Sequence, residues 1–393
     1  GHGGAVLSGN GSMRRFRIFT GGEHSPWRSA LYRLPANIER RGSMELEKII
    51  AGISGVSAES REAARRHWDT LAKPLGGLGV LEEDVAKLAA LTGRKNMTLK
   101  QRTLLVFCGD NGVVSQGVSQ SDASVTTAVA SALGRGDSTV SYMAEAAGCN
   151  VLPVDVGMKA PTPPGVLNRK ISHGTGDITR KPAMTREECL AAVEVGVKLV
   201  EEQAKNGTDI LLLGEMGIGN TTTSAAVASV LLGCPPEQLT GRGAGLSDAG
   251  LRRKLRAVRQ AIAVHGPDPE DPIDVLAKVG GLDLAALCGA ALGGAKYRIP
   301  VLLDGVITNT AALCAVRLCP AVKDALIASH VSEEPAAGRL LDAMGLRPCI
   351  SAGLHLGEGS GAVLALPLLD QALAVYNSGH TFDVLGIAAY MEM

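Results

Sequence analysis

From Met44 onward, apolar residues recur at helical spacing: Leu46, Ile49, Ile50 and Ile53 share one face, which predicts an amphipathic helix opening at Ser43-Met44. Ser57-Ala-Glu-Ser-Arg61 opens a second helix, and Lys73-Pro-Leu-Gly-Gly-Leu-Gly79 breaks it. A third helix follows from Leu81, Val85, Leu88 and Leu91. After residue 100 the pattern changes to short apolar runs separated by long helical stretches. Strands are expected at 103–108, 151–156, 209–213, 299–303, 325–328 and 348–351. Between them lie helices such as 251–264, apolar at Leu251, Leu255, Val258 and Ile262. Alternation of almost wholly apolar strands with helices predicts an α/β fold, a mainly parallel sheet flanked by helices on both faces. Ligands of such sheets bind beyond the carboxyl ends of the strands.

The chain has 393 residues, with 39 acidic and 39 basic side chains. That balance offers no charge argument for nucleic acid or a membrane surface. The distribution is uneven: residues 1–43 hold seven Arg, no Lys and two Glu. Four of the eleven aromatic residues also lie there, at Phe16, Phe19, Trp27 and Tyr32. Gly-Ser-Met occurs at 11–13 and again at 42–44, so residues 1–43 are expected to be a disordered leader or expression segment; the rival is a basic arm. The few aromatics in the body argue against stacking on single-stranded nucleic acid. Eight scattered cysteines without a CxxC pair suit reduced, buried thiols and a cytoplasmic location. No apolar run is long enough to span a bilayer, and the start lacks a signal peptide's apolar core.

Two glycine-flanked acids stand out: Glu215 in Gly214-Glu-Met-Gly-Ile-Gly-Asn-Thr-Thr-Thr223, and Glu358 in Leu356-Gly-Glu-Gly-Ser-Gly-Ala362. Glycine this dense lets backbone N–H groups approach a ligand. Glu215 is expected in the loop after a strand, with Asn220 or Thr221 able to cap the next helix; an anion site at that helix start and a Glu that caps its own loop have even claims. Glu358 has the stronger case, because partial burial raises a carboxylate's pKa and makes it a better base near neutrality; the bland alternative is a solvated loop residue. Thr240-Gly-Arg-Gly-Ala-Gly-Leu-Ser-Asp248 leads into a basic helix, and its N–H groups with Arg242 and Lys254 suggest a phosphate cradle or a flexible turn. His330 is expected to be structural, and His355, three residues before Glu358, to pack ordinarily rather than form a dyad. No HExxH, metal-spaced cluster, P-loop or Gly-x-Ser-x-Gly elbow occurs, so no metal is expected.

Several segments combine in order: Lys73-Pro-Leu-Gly-Gly-Leu-Gly79, Gly109-Asp-Asn-Gly-Val113, the Glu215 segment, Val279-Gly-Gly-Leu-Asp-Leu284, Leu303-Asp-Gly305, Ser329-His-Val-Ser-Glu-Glu334 and the Glu358 segment. In these the chain resembles the nicotinate-nucleotide:dimethylbenzimidazole phosphoribosyltransferases over about residues 44–393. The resemblance implies transfer of phosphoribose from nicotinate mononucleotide to 5,6-dimethylbenzimidazole with inversion at C1′. The products are α-ribazole 5′-phosphate, for the lower-ligand nucleotide of cobalamin, and nicotinate. It implies Glu358 as the base that takes the ring N–H proton and Glu215 as a second carboxylate beside an oxocarbenium-like C1′. Nicotinate leaves from a cationic pyridinium, which requires no Lewis acid, and no cofactor is expected. Gly217, Gly243 and Lys254 match positions near the nucleotide phosphate and ribose, Ser121 one lining the base pocket, and Ser332 one contributed across a homodimer interface. Gly357 and Asp304 complete the implied substrate-binding set. The family's Rossmann-like sheet carries a small helical domain from both chain ends. That assigns 44–95 to the small domain and 96–345 to the large α/β domain. Residues 346–393 form a segment returning to the small domain with the Glu358 loop.

The chain departs from the family pattern at Asn111, where His is usual, at Val129, where Gln is frequent, and at Val306, where an aromatic often follows Asp-Gly. All three are expected near the acceptor base, leaving a purine, another benzimidazole or a phenol as alternative acceptors. Two other classes remain open: a nucleotide-binding oxidoreductase, which would need a glycine at Thr222, and a non-catalytic nucleotide sensor. The implied partners are the two small molecules and a second copy of the chain, with no nucleic acid and no membrane.

Overall fold

The computed structural model describes residues 38–94 and 96–390, with side chains from Glu45; the leader expected at 1–43 lies largely outside them. Six strands form one all-parallel sheet in the order β3-β2-β1-β4-β5-β6. They are β1 (Arg102–Gly109), β2 (Asn150–Gly157), β3 (Leu167–Asn168), β4 (Ile210–Met216), β5 (Val301–Leu303) and β6 (Leu326–Ala328). The strand order reverses between β1 and β4, so their carboxyl ends open the crevice where doubly wound sheets bind ligands.

Side-chain alternation explains why both faces are covered. Leu105 and Phe107 of β1, Leu211 and Leu213 of β4, and Val301 and Leu303 of β5 enter one core. Leu104, Val106, Cys108, Ile210, Leu212 and Leu302 enter the other. Each strand is apolar on both sides because each side meets helices.

Fourteen α-helices lie among the described residues. Three precede the sheet: α1 (Ile38–Ala51), α2 (Ala58–Thr70) and α3 (Val80–Thr92). α1 starts five residues before the position expected from its apolar spacing and packs on later helices of the large sheet face. Ser57 caps α2 by accepting from the Ser60 N–H at 3.0 Å. Trp68 of α2 is buried, donates its indole N–H to the Glu82 carbonyl at 3.0 Å and meets Tyr376 edge to face. Lys73, after the break, pairs with Glu82 at 2.7 Å.

Between β1 and β2 lie α4 (Ala123–Arg135) and α5 (Thr139–Ala146), and before β4 lies α6 (Arg186–Lys205). After β4 come α7 (Asn220–Leu232), α8 (Asp248–His265), α9 (Pro272–Val279) and α10 (Leu282–Tyr297). α10 is buried along its first fourteen residues, which accounts for a sequence that is apolar there except at Asp283. The chain ends with α11 (Val306–Leu318), α12 (Ala337–Met344), α13 (Ser360–Tyr376) and α14 (Phe382–Leu385). α13 returns to pack on α3, and Leu71 bridges Thr381, so the chain's late helices meet its early ones.

Two expectations are corrected, and one strand was not expected. Residues 348–351 are no strand: only Ile350 pairs, through a single parallel bridge to His330. The short β3 at the sheet edge carries too few residues to show a periodic signal. Glu215 belongs to β4 and not to the following loop, because Gly214 and Glu215 continue the ladder against Val106 and Phe107.

Candidate active site

The site lies at the carboxyl ends of β1, β4 and β5, where three groups of residues converge. The first surrounds Glu358. Gly357, Glu358 and Gly359 have φ values of +86°, +61° and +90°, three successive left-handed residues of which only Glu358 bears a Cβ. A non-glycine residue there is uncommon and strained, so the surroundings must hold it. Asp304, at the end of β5, does so: its Oδ2 accepts the Gly359 N–H at 3.1 Å and its Oδ1 the Gly361 N–H at 2.8 Å. The Glu358 carboxylate reaches the first turn of α5 and accepts the Val140 N–H at 3.4 Å. It is half-buried, and desolvation raises its pKa against the lowering effect of that N–H.

The second group surrounds Glu215, which is 7% exposed. Its Oε2 accepts a short hydrogen bond from the Asn220 Nδ2. The same nitrogen donates to Asp283 Oδ2 at 3.1 Å. Burial pushes the Glu215 carboxyl up to about 8 and Asp283 up to about 6, outweighing the Asn220 hydrogen bond that lowers both. Gly217 is buried in the turn after β4; a Cβ there would meet Asp283 Oδ2 at 3.0 Å and Asn111 Nδ2 at 3.2 Å. Asn220 is therefore not a cap but a bridge: the N-cap of α7 is Gly219, with no side-chain cap bond.

The third group lies one residue along α7. Lys254, fully buried on α8, donates to Thr221 Oγ1 at 2.9 Å and to the Gly241 carbonyl at 3.0 Å. Desolvation lowers its pKa to about 8, with Glu334 opposing. Gly243, at φ +54°, faces the same ammonium. Its N–H is not free, being donated to Glu334 Oε1 at 2.8 Å. Arg242 turns away to Asp248 and the Leu246 carbonyl, so of the groups expected to form a phosphate cradle Lys254 and Gly243 lie together and Arg242 lies apart.

The remaining expected residues fall as follows. Gly357 abuts Glu215, its notional Cβ lying 2.9 Å from Glu215 Oε1. Ser332 is beside Gly305, and its buried hydroxyl has no partner. Ser121 is half-buried just before α4, its N–H donated to Ser119 Oγ at 3.2 Å. His330 is buried 4.0 Å from Asp304 and 3.0 Å from Ser329 Oγ. His355 is exposed and pairs with Glu333 at 3.6 Å, not with Glu358. Asn111 donates to the Ile218 carbonyl at 3.4 Å and supports the turn after β4. Val306 is buried in the core, and Val129 is half-buried against the other core. Asp283, Glu334 and the Val140 N–H join the site although the sequence assigns them no role there. Asp283 carries a usable signal: it is the one charged residue in the apolar stretch 282–295. Among the described residues no group of three His, Cys, Asp or Glu side chains is arranged to hold a metal ion.

A family model described as phosphoribosyltransferase matches residues 53–387. The nicotinate-nucleotide–dimethylbenzimidazole phosphoribosyltransferase of Ruminiclostridium cellulolyticum is 43% identical over 351 residues, covering 89% of this chain and 100% of the relative. That of Clostridium acetobutylicum is 41% identical with the same coverage of both chains, 89% and 100%. The crystal structure of the enzyme of this name from Thermus thermophilus superposes with a TM-score of 0.79 at 40% identity, over 84% of this chain and 99% of that one. The family match spans the whole sheet and all three groups of residues above. The chain belongs to the nicotinate-nucleotide:dimethylbenzimidazole phosphoribosyltransferase family.

Proposed function

We propose that this protein transfers the phosphoribosyl group of nicotinate mononucleotide to 5,6-dimethylbenzimidazole with inversion at C1′, releasing nicotinate and α-ribazole 5′-phosphate. The observation that carries the reading is the meeting of Glu358 and Glu215 across Gly357, at the switch point of a parallel sheet. Glu358 takes the N–H proton of the benzimidazole while the other ring nitrogen attacks C1′. The C1′–pyridinium bond breaks, and its electron pair stays on the departing nicotinate nitrogen. Glu358 acts as the base because half-burial makes it a stronger proton acceptor than a solvated carboxylate, yet the Val140 N–H keeps an ionised form accessible. Glu215 faces the positive charge that develops on the ribosyl ring. A cationic donor in this pocket favours ionised Glu215 over the neutral acid that burial prefers.

The phosphate is assigned to the neighbourhood of Lys254, Gly243 and Gly217, with the Gly243 N–H released by Glu334 when the anion arrives. Asp304 supports the site by holding the Glu358 loop through the Gly359 and Gly361 N–H groups, beside the place expected for it in the substrate-binding set. The active form is a homodimer, to which the exposed Leu356 and Leu364 flanking the Glu358 loop contribute apolar surface. The enzyme works in the cytoplasm, a location compatible with eight free thiols; no described helix is long and apolar enough to cross a membrane.

The test incubates purified protein with nicotinate mononucleotide and, separately, 5,6-dimethylbenzimidazole, other benzimidazoles, purines and phenols. Mass spectrometry follows nicotinate and the α-linked nucleotide. Fastest turnover with 5,6-dimethylbenzimidazole is expected; absence of nicotinate release with every acceptor refutes the transferase reading.

A further inference from the structure

Asp283 is an expensive residue. It is 1% exposed at the second position of α10, and no cation pairs with it among the described residues. A buried carboxylate without a counter-charge persists where hydrogen bonds compensate it. Its Oδ1 accepts the Leu284 N–H at 2.9 Å in the first turn of α10, where the helix dipole favours negative charge. Its Oδ2 accepts from Asn220. We propose that Asp283, acting through the Asn220 amide, is a positioning residue that fixes which oxygen of Glu215 faces the reacting centre. This role rests on the transferase reading above.

The argument follows from the donor count of a primary amide. Nδ2 carries two hydrogens, and here one meets Glu215 Oε2 and the other Asp283 Oδ2. The flipped amide would set its own oxygen against the Asp283 oxygen, placing two acceptors in contact. Asp283 therefore selects the orientation that presents N–H to Glu215. With Oε2 held by the amide, Glu215 presents Oε1 with both of its lone pairs free, and carries its proton there when it has one. That oxygen is the one facing Gly357 and hence the gap beside Glu358. Without Asp283 the amide can rotate, and either oxygen of Glu215 can turn inward.

The surroundings make the consequence readable. Glu215 faces Asp283, Asp304 and Glu358, together with the Cys108 thiol of β1, and Asp283 also faces Asp110. All are acids. Removing the Asp283 charge eases ionisation of Glu215, whereas removing the Asn220 donor hinders it.

Asp283→Asn is expected to lower kcat about 10-fold to 100-fold while changing KM for the mononucleotide less than about 3-fold, the pattern of misplacement rather than lost binding. Carboxyl carbon NMR of the unliganded protein is expected to show Glu215 titrating at lower pH in Asp283→Asn and at higher pH in Asn220→Ser, the second variant should the first fail to fold. The exchange Asn220→Asp with Asp283→Asn restores a bond between the two positions but removes the donor to Glu215. It is expected to regain thermal stability without regaining kcat. Wild-type kcat in Asp283→Asn, an unmoved Glu215 titration, or full kcat in the exchanged variant overturns the proposal. The titration needs no substrate, so failure of wild-type protein to release nicotinate would refute the transferase reading and leave the carboxyl titration to decide the positioning role.

Discussion

The Glu358 carbonyl passes so close to Gly214 that a Cβ on Gly214 would lie 2.5 Å from its oxygen and 2.7 Å from its carbon. The glycine before Glu215 thus makes room for the backbone of Glu358, and the two glutamates are placed by one contact. Gly214→Ala is expected to displace the Glu358 loop, since both atoms it meets are main chain. We expect a loss of about 1–3 kcal/mol in stability and a fall in kcat of about 100-fold, because displacement by about 1 Å costs that much. Chemical denaturation and steady-state kinetics check both; an alanine variant with wild-type kcat would show that the loop position is not set here.

Glu358→Gln keeps the size and the Val140 contact surface of the side chain but removes the proton acceptor. Loss of a positioned general base typically costs ~10²–10⁴-fold in rate. Turnover is expected to fall in that range while mononucleotide affinity, measured by calorimetry without acceptor, stays near wild type. Retained turnover would remove Glu358 from the role of base.

Lys254 predicts how donor binding depends on pH. Its folded pKa is lowered to about 8 by burial, and an approaching phosphate favours the protonated ammonium. Below about pH 8 the free enzyme already carries that charge. Above it, binding must take up a proton, so KM for the mononucleotide is expected to rise about tenfold per pH unit. A KM flat from pH 7 to 9.5 would place the phosphate elsewhere.

Much of this architecture is legible in the sequence because buried parallel strands are apolar on both sides. The runs ending at Cys108, Leu213 and Leu303 are visible for that reason. The same rule misleads at 348–351, where apolar character reflects packing beside His330 rather than a ladder. It also hides the last residues of β4, since Gly214 and Glu215 look like loop residues while still pairing with β1. Glu358 is legible because glycines bracket it. Its strained conformation and its attachment to Asp304 are not, because Asp304 lies 55 residues from Gly359 and 57 from Gly361 in the chain. The Asn220–Asp283 bridge spans 63 residues; a lone acid in an apolar helix marks Asp283, but nothing in sequence names its partner.

The buried acids also set the stability profile. Glu215 rises from 4.5 to about 8 and Asp283 from 3.8 to about 6 on folding. Both shifts are upward, so the unfolded chain releases these protons at lower pH than the folded protein does. Their stabilising contribution is complete below about pH 4 and is lost as pH climbs through the folded values. Carboxylates lowered by hydrogen bonds, such as Asp177, act in the opposite sense, but below the Glu215 window. The melting temperature is therefore expected to decline between pH 5 and about 8 as the buried site is forced to ionise. Glu215→Gln removes the larger contributor and is expected to flatten that decline, with the variant gaining on wild type as pH rises. Scanning calorimetry at half-unit intervals decides it: parallel profiles for the two proteins would mean that Glu215 is already ionised at neutral pH in the folded chain.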